Sequence, residues 1–148
     1  MAPDVSDTTL SGDESTVERR FTLDEANRTL PLVRRVVTDI AATYRQLQDL
    51  DRRRAEAATA GQTGDAETIE DQMHATGERL NRLIRELEPV GCVLKDPAVG
   101  LIDFLAVHDG RDVCLCWKLD EQRIEFWHDV NAGFAGRRPV SELAARTS

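Results

Sequence analysis

Hydrophobic residues in the first part of the chain recur at alternating spacings of three and four, the spacing of one face of an α-helix. The positions of this first stripe are Leu23, Ala26, Leu30, Val33, Val37, Ile40, Tyr44 and Leu47. Thr22 and Glu25 have the spacing of a capping box at a helix start. Because a proline disfavours helical geometry in the residue before it, Pro31 predicts a short helix, a kink, and then a long helix to about Thr59.

A second stripe follows the glycine-containing break at residues 61–64. Its positions are Ile69, Met73, Thr76, Leu80, Leu83 and Leu87, and they repeat the heptad spacing until Pro89 and Gly91 end the pattern. Asp65 is the predicted N-cap of this second helix. Two long amphipathic helices joined by a short turn predict an antiparallel helical hairpin over residues 22–88.

The composition changes after Gly91, because five of the seven aromatic residues lie between positions 104 and 134. Three segments in this region are rich in β-branched and aromatic residues, and turn signals at Asp109-Gly110 and at residues 120–122 separate them. This pattern predicts a three-stranded antiparallel meander over residues 92–130, with residues 92–95 as a possible fourth strand. The predicted fold class is therefore α+β, with the helical hairpin packed on a three- to four-stranded antiparallel sheet.

The length of 148 residues favours a single domain, which we place at residues 19–140. Residues 1–18 contain five acids and no base, and they are predicted to form a disordered acidic tail. Residues 131–139 are predicted to be a loop rich in glycine and arginine, and residues 141–148 a C-terminal tail. The net charge of −8 thus comes largely from the first segment.

Charge and hydropathy also limit the partners. The densest basic run, at residues 52–54, is flanked by acids, so no nucleic-acid partner is expected. No apolar run approaches the roughly 20 residues that span a bilayer, so no membrane association is expected. The acidic N-terminal segment does not resemble a signal peptide, and three cysteines cannot all pair with one another. These features predict a cytoplasmic protein.

The turn positions predict which polar residues of the sheet meet. A two-residue turn at Asp109-Gly110 places Asp103 opposite Cys116, and a turn at residues 119–122 places Cys116 opposite Glu125. In this register Phe126 and His128 face the core, whereas Trp127 lies on the other face with the row of Asp103, Cys116 and Glu125. Such a row can be an acid/base pair, a metal site, a face covered by a partner or terminal segment, or plain surface.

Two further features of the strands have structural interpretations. Cys114 and Cys116 are two residues apart in a strand, about 6.6 Å between Cα atoms, so they are predicted to be packed thiols rather than a chelating pair. Glu125 and His128 point to opposite faces of a strand and so do not form a helical metal motif. His128 is predicted to be a half-buried histidine whose ring bonds a loop backbone group near Asp129.

The loop at 131–139 contains Gly133, Gly136 and the pair Arg137 and Arg138. One interpretation is an anion-binding nest in which arginine adds donors to a phosphate or carboxylate. The favoured interpretation is a structural loop in which Arg137 pairs with a sheet acid, Asp103 or Glu125.

Several motifs together resemble a known family. They are the stretch from Phe21 to Asn27, Leu30 to Val33, Gly100 to Phe104, Asp109 to Arg111, Leu115 to Trp117, Ile124 to His128 and Gly133 to Arg137. Over about residues 21–140 the chain resembles the bacterial domain of unknown function 2203 family. The resemblance implies no activity, substrate or cofactor. Its motif positions are Asp103, Cys116, Trp117, Glu125, His128, Gly133, Gly136 and Arg137.

The sequence favours a small non-enzymatic interaction module that forms a homodimer through an exposed heptad stripe and an apolar sheet face. The alternative is a small-ligand or metal-binding enzyme that uses Asp103, Cys116 and Glu125 with Arg137. The candidate ligand or interaction face comprises Asp103, Cys116, Glu125, Trp127, His128 and Arg137. Asp103, Cys116 and Glu125 are weak metal-ligand candidates, and no catalytic residue or cofactor is assigned.

Overall fold

A computed structural model describes residues 19–143 and has the predicted α+β fold. Its elements are α1 (Leu23–Thr59), α2 (Thr63–Arg85), β1 (Val93–Asp96), β2 (Leu101–His108), β3 (Arg111–Trp117), β4 (Phe126–Asp129), a 3₁₀ turn (Phe134–Gly136) and β5 (Arg138–Pro139). The predicted acidic tail at residues 1–18 and the last five residues of the predicted C-terminal tail, 144–148, lie outside the described residues.

Helix α1 starts with the predicted capping box. The Thr22 hydroxyl accepts a hydrogen bond from the Glu25 backbone N–H at 3.0 Å, and the Glu25 carboxylate accepts one from the Thr22 N–H at 3.0 Å. The predicted division at Pro31 is wrong, because one helix continues through the proline to Thr59. A proline costs the helix one hydrogen bond. The helix continues because the apolar stripe on both sides of Pro31 is buried in the same core.

Helix α2 begins at Thr63, and its N-cap residue Gln62 makes no side-chain capping bond. The prediction that Asp65 caps this helix is therefore wrong. Asp65 lies instead in the first turn, where its negative charge still interacts favourably with the helix dipole.

Thr22→Ala is expected to destabilise the fold by about 1 kcal/mol, because the Glu25 backbone N–H in the first turn loses its hydrogen bond to the Thr22 hydroxyl. The matched control is Thr38→Ala, at an exposed position inside α1 whose hydroxyl bonds the Arg34 carbonyl. Alanine is the better helix former there, so the control is expected to be neutral or slightly stabilising. Urea unfolding of the two variants measures the difference, and equal midpoints would contradict a stabilising cap.

The five strands form one sheet in the order β1-β2-β3-β4-β5, with every neighbouring pair antiparallel. The predicted meander is thus confirmed, with β1 at the position of the possible fourth strand. Strand β5 is an addition, because it lies within the segment predicted to be a loop. The turn between β2 and β3 has positive φ at both Asp109 (54°) and Gly110 (75°), which matches the two-residue turn that the sequence predicts.

One face of the sheet packs against the two helices and forms the core. Its buried residues include Ile102, Phe104, Val113, Leu115 and Trp117, together with Ala26, Leu30, Val33, Val37 and Ile40 of the first stripe. The heptad stripe is therefore buried against the sheet of the same chain. The prediction that it is exposed and forms a dimer contact is wrong. Within residues 19–143, no helix carries an apolar stretch long enough to cross a membrane.

Candidate metal centre on the open sheet face

The second hairpin has a different register from the predicted one, and this decides which residues meet. Asp103 lies opposite Cys116, as predicted, but Cys116 lies opposite Phe126 rather than Glu125. Helix α1 holds the connection to β4 away from the ladder. The Asn27 side chain accepts a bond from the Ile124 N–H at 2.9 Å, and Arg34 donates to the Gln122 carbonyl at 2.9 Å.

This shift by one residue exchanges the two faces of β4. Trp127, predicted on the outer face, is buried in the core, whereas Phe126 and His128 lie on the opposite face. Glu125 precedes the strand and is exposed, and its carbonyl accepts a bond from the Val140 N–H at 2.9 Å. The predicted row of Asp103, Cys116 and Glu125 is therefore wrong. We call the side of the sheet opposite the helices the open face.

Three potential metal ligands meet on the open face. Asp103, Cys114 and His128 each offer one ligand atom, and these atoms all lie within 4.8 Å of one another. Cys114 is directly opposite His128 in the ladder, and His128 Nε2 lies 3.2 Å from Asp103 Oδ2. Asp103 is 6% exposed and His128 3% exposed, while Cys114 is half-buried. The cluster thus opens toward solvent on the side of Cys114.

The orientation of His128 determines what its ring offers to Asp103. Nδ1 lies 2.7 Å from the Asp129 carbonyl oxygen. This is a bond to a backbone group of the kind that the sequence predicts near Asp129. Because a carbonyl can only accept, Nδ1 carries the hydrogen and donates it. In the neutral ring Nε2 then presents its lone pair to the Asp103 carboxylate, which is also an acceptor. This contact is unfavourable unless a proton or a metal cation lies between the two atoms.

The other carboxylate oxygen of Asp103 also lacks a donor. Its Oδ1 is buried and has no hydrogen-bond partner among the described residues. A buried carboxylate oxygen without a partner is costly, because burial removes its bonds to water. Both oxygens of Asp103 therefore lack the positive partner that a cation would supply.

The surroundings of the two neighbouring thiols, Cys114 and Cys116, disfavour their thiolate forms. Burial raises the pKa of the Cys114 thiol to about 11, and the charge of Asp103 adds to the increase. Burial and Asp103 likewise raise the pKa of Cys116 to about 12. Since both ring nitrogens of His128 already face oxygen atoms, the ring is not placed to deprotonate a thiol. The geometry disfavours a cysteine nucleophile, whereas a metal ion can displace a thiol proton and bind the sulfur.

The sequence model of one protein family, described as "Uncharacterized conserved protein (DUF2203)", matches residues 19–140. The chain belongs to this family. No curated protein and no solved structure gives a significant match. Because the DUF2203 description assigns no activity, the interpretation of the cluster depends on its geometry.

Arg137 of this DUF2203 protein does not join the cluster. Its guanidinium pairs with Glu121, with one N···O contact of 2.9 Å to each carboxylate oxygen. Nη2 also donates to the Cys116 carbonyl at 3.3 Å, and the guanidinium stacks 4.2 Å from the Phe126 ring and 4.7 Å from the Phe134 ring. The predicted structural pairing of Arg137 with an acid is present, but the predicted partners, Asp103 and Glu125, are wrong.

Sequence reasoning missed two residues, Cys114 and Glu121. Strand alternation puts Cys114 on the same face as Cys116 and Asp103, but its position opposite His128 depends on the register of the second hairpin. Glu121 lies in the turn between β3 and β4, and no local pattern identifies the partner of an acid in a turn. In both cases the missing information is a contact between residues distant in the sequence.

Proposed function

We propose that this DUF2203 protein binds one transition-metal ion of the zinc class through Asp103, Cys114 and His128. The observation that carries the proposal is the Nε2 lone pair of His128 directed at the Asp103 carboxylate, with a thiol beside both groups. Thiolate, imidazole and carboxylate are all zinc ligands. The Nδ1–H bond to the Asp129 carbonyl is the kind of outer contact that orients a metal-bound histidine.

The ligand spacing is compatible with such an ion. Ligand atoms around a tetrahedral zinc lie about 3.3–3.6 Å apart, given bond lengths of about 2.0–2.3 Å. The Asp103–His128 separation of 3.2 Å is already close to this value, and Cys114 needs to approach by about an ångström at most. Three protein ligands leave a fourth position open for water or a small ligand, as in zinc sites that carry out chemistry.

Zinc is expected to bind the chelator-stripped full chain with a stoichiometry of one. Zinc at a hundred times its dissociation constant is expected to stabilise the fold by about 2.7 kcal/mol. Asp103→Asn, Cys114→Ser and His128→Gln are each expected to abolish that stabilisation. Thermal unfolding with and without zinc measures it, and Co²⁺ titration adds a thiolate charge-transfer band that Cys114→Ser must remove.

Matched controls remove the same groups elsewhere. Cys92→Ala changes a core thiol, and His74→Gln changes an exposed helix residue, so both variants are expected to keep full zinc binding. Cys116→Ser is also expected to bind, because Cys116 is outside the three-ligand cluster. Loss of binding in the controls would place the metal elsewhere.

Asp103→Asn separates the metal centre from a structural ion pair. Without metal, an asparagine amide can donate to the His128 Nε2 lone pair, so the variant is expected to be as stable as the wild type or more stable. If the wild type instead contains a buried imidazolium–carboxylate pair, Asp103→Asn leaves a buried charge and costs about 3–5 kcal/mol. That loss, in a protein that binds no zinc, would contradict the proposal.

Homodimerisation is a second candidate function. Because the heptad stripe is buried within the chain, the open face is the surface that supports this candidate. Val93, Val107 and Phe134 of this face are 47–53% exposed, and no described helix packs over them. Exposed apolar side chains on a sheet face favour association, here with the same face of a second copy. Light scattering across micromolar concentrations tests this, and a dimer is expected to be lost in Val107→Glu but retained in Val99→Glu. A strict monomer would contradict it.

The proposed metal protein is further expected to be cytoplasmic and to have no nucleic-acid partner. The basic run at residues 52–54 supports the second expectation, since Arg52 pairs with Asp49 and Glu56 and Arg54 pairs with Asp51 rather than being free for phosphate.

A further inference from the structure

A cavity of about 540 Å³ lies on the other side of the sheet from the metal centre. It is bounded by the segment that leads into α1 and by the far end of the β2–β3 hairpin. Its apolar walls include Phe21, Leu23, Ala106, Val113, Leu115 and Leu143. The volume falls within the range of about 300–1,000 Å³ that is usual for small-molecule sites.

The cavity exists because the hairpin extends beyond the start of the helix. The Phe21 N–H donates to the Leu105 carbonyl at 2.8 Å, and α1 begins only at Leu23. Ala106 and Val113, further along the hairpin, line this end of the core together with Phe21 and Leu143. Phe21 and Leu143 cover this end of the core only in part, which leaves a concave apolar space.

One buried polar side chain lines this space. His108 is 5% exposed, and its Nδ1 has no hydrogen-bond partner among the described residues. Its Nε2 is the ring nitrogen that faces the Asp109 carboxylate, at 3.5 Å, and because a carboxylate can only accept we assign the hydrogen of the neutral ring to Nε2. Nδ1 is then an acceptor for which the described residues supply no donor.

The charged groups at the rim do not favour a charged ligand. The Arg20 guanidinium already pairs with Asp112 through two contacts of 2.9 and 3.0 Å, and Asp24 has Arg28 at 3.7 Å. An anion would gain little from an arginine that is already paired.

We propose that this cavity binds a neutral small molecule with an apolar body and one hydroxyl or N–H donor. The apolar walls bind the body, and the donor satisfies His108 Nδ1. This site is independent of the proposed metal centre, because it lies on the opposite face of the sheet.

The test uses N-phenyl-1-naphthylamine, a neutral two-part aromatic probe with a single N–H, whose fluorescence rises in apolar surroundings. The full chain is expected to bind one probe molecule in a saturable manner. Ala106→Leu fills the cavity, and Leu143→Phe narrows it at its edge. Each change is expected to weaken binding at least tenfold, and His108→Phe is expected to weaken it about three- to tenfold, the value of one hydrogen bond.

The matched control is Ala42→Leu, the same change at an exposed position of α1, which is expected to leave binding unchanged. Thermal unfolding establishes whether each variant is folded. If Ala106→Leu does not fold, Leu143→Phe still tests the cavity. The absence of saturable binding to the wild type would mean that the protein itself closes the cavity, and this would overturn the proposal. Equal binding to the filled and control variants would place the probe elsewhere and would also overturn it.

Discussion

Arg137→Ala is expected to destabilise the protein by about 3–5 kcal/mol, the range for removing one partner of a buried ion pair. The Arg137 and Glu121 side chains are 12% and 13% exposed, so the Glu121 carboxylate would keep its charge with little access to water. The Lys118 N–H, at 3.1 Å, is the other hydrogen-bond donor that the structure gives this carboxylate. The stacking of the guanidinium on Phe126 and Phe134 would be lost as well. Urea unfolding midpoints measure the change.

The adjacent arginine provides the control for this prediction. Arg138 pairs with Glu142 at 2.9 Å, but the two side chains are 54% and 40% exposed. An exposed pair contributes about 0–1 kcal/mol, so Arg138→Ala is expected to have a small effect. Equal losses in the two variants would contradict a specific role for the Arg137–Glu121 pair. Because Arg137 is already paired, added phosphate is expected to stabilise neither the wild type nor Arg137→Ala.

Gly100→Ala is expected to cost about 2–5 kcal/mol, from two separate penalties. Gly100 has a φ of +67°, a conformation that costs an alanine about 1–2 kcal/mol. A Cβ at this position would also lie 2.6 Å from Val37 Cγ1 and 3.0 Å from Leu119 Cβ. Relieving such a contact in a packed core costs about another 1–3 kcal/mol. Thermal or urea unfolding of the variant measures the total.

Gly110→Ala separates the two penalties. Gly110 has a similar φ of +75°, but a Cβ there would have no heavy atom within 4 Å. This variant is therefore expected to be destabilised only by the cost of a positive φ in alanine, about 1–2 kcal/mol. If Gly100→Ala costs no more than Gly110→Ala, the close packing of Gly100 against α1 contributes nothing to stability.

Much of the fold is readable from local patterns. The capping box predicts the start of α1, the heptad stripe its buried face and the glycine-containing break at residues 61–64 its end, because caps and helix periodicity depend on residues within a few positions of one another. The Asp109-Gly110 turn fixes the first hairpin, so the pairing of Asp103 with Cys116 follows from two residues at the tip. These features are encoded by neighbours in the sequence.

The register of the second hairpin is not encoded in this way. Residues 118–125 can close the β3–β4 connection in more than one way, and contacts from Asn27 and Arg34, nearly a hundred residues away, select one of them. A shift of one residue moves every side chain of a strand to the other face. It therefore buries Trp127, exposes Glu125 and brings His128 to Asp103.

The sequence by itself determined the two helices, the antiparallel meander and the placement of Asp103 and Cys116 away from the core. Only the tertiary structure decided that Cys114 and His128 complete the cluster, that Arg137 pairs with Glu121, and that the heptad stripe is buried within one chain. The physical reason is that periodicity, caps and tight turns act over a few residues. The register of a loosely closed hairpin and the partner of a buried charge depend on long-range packing.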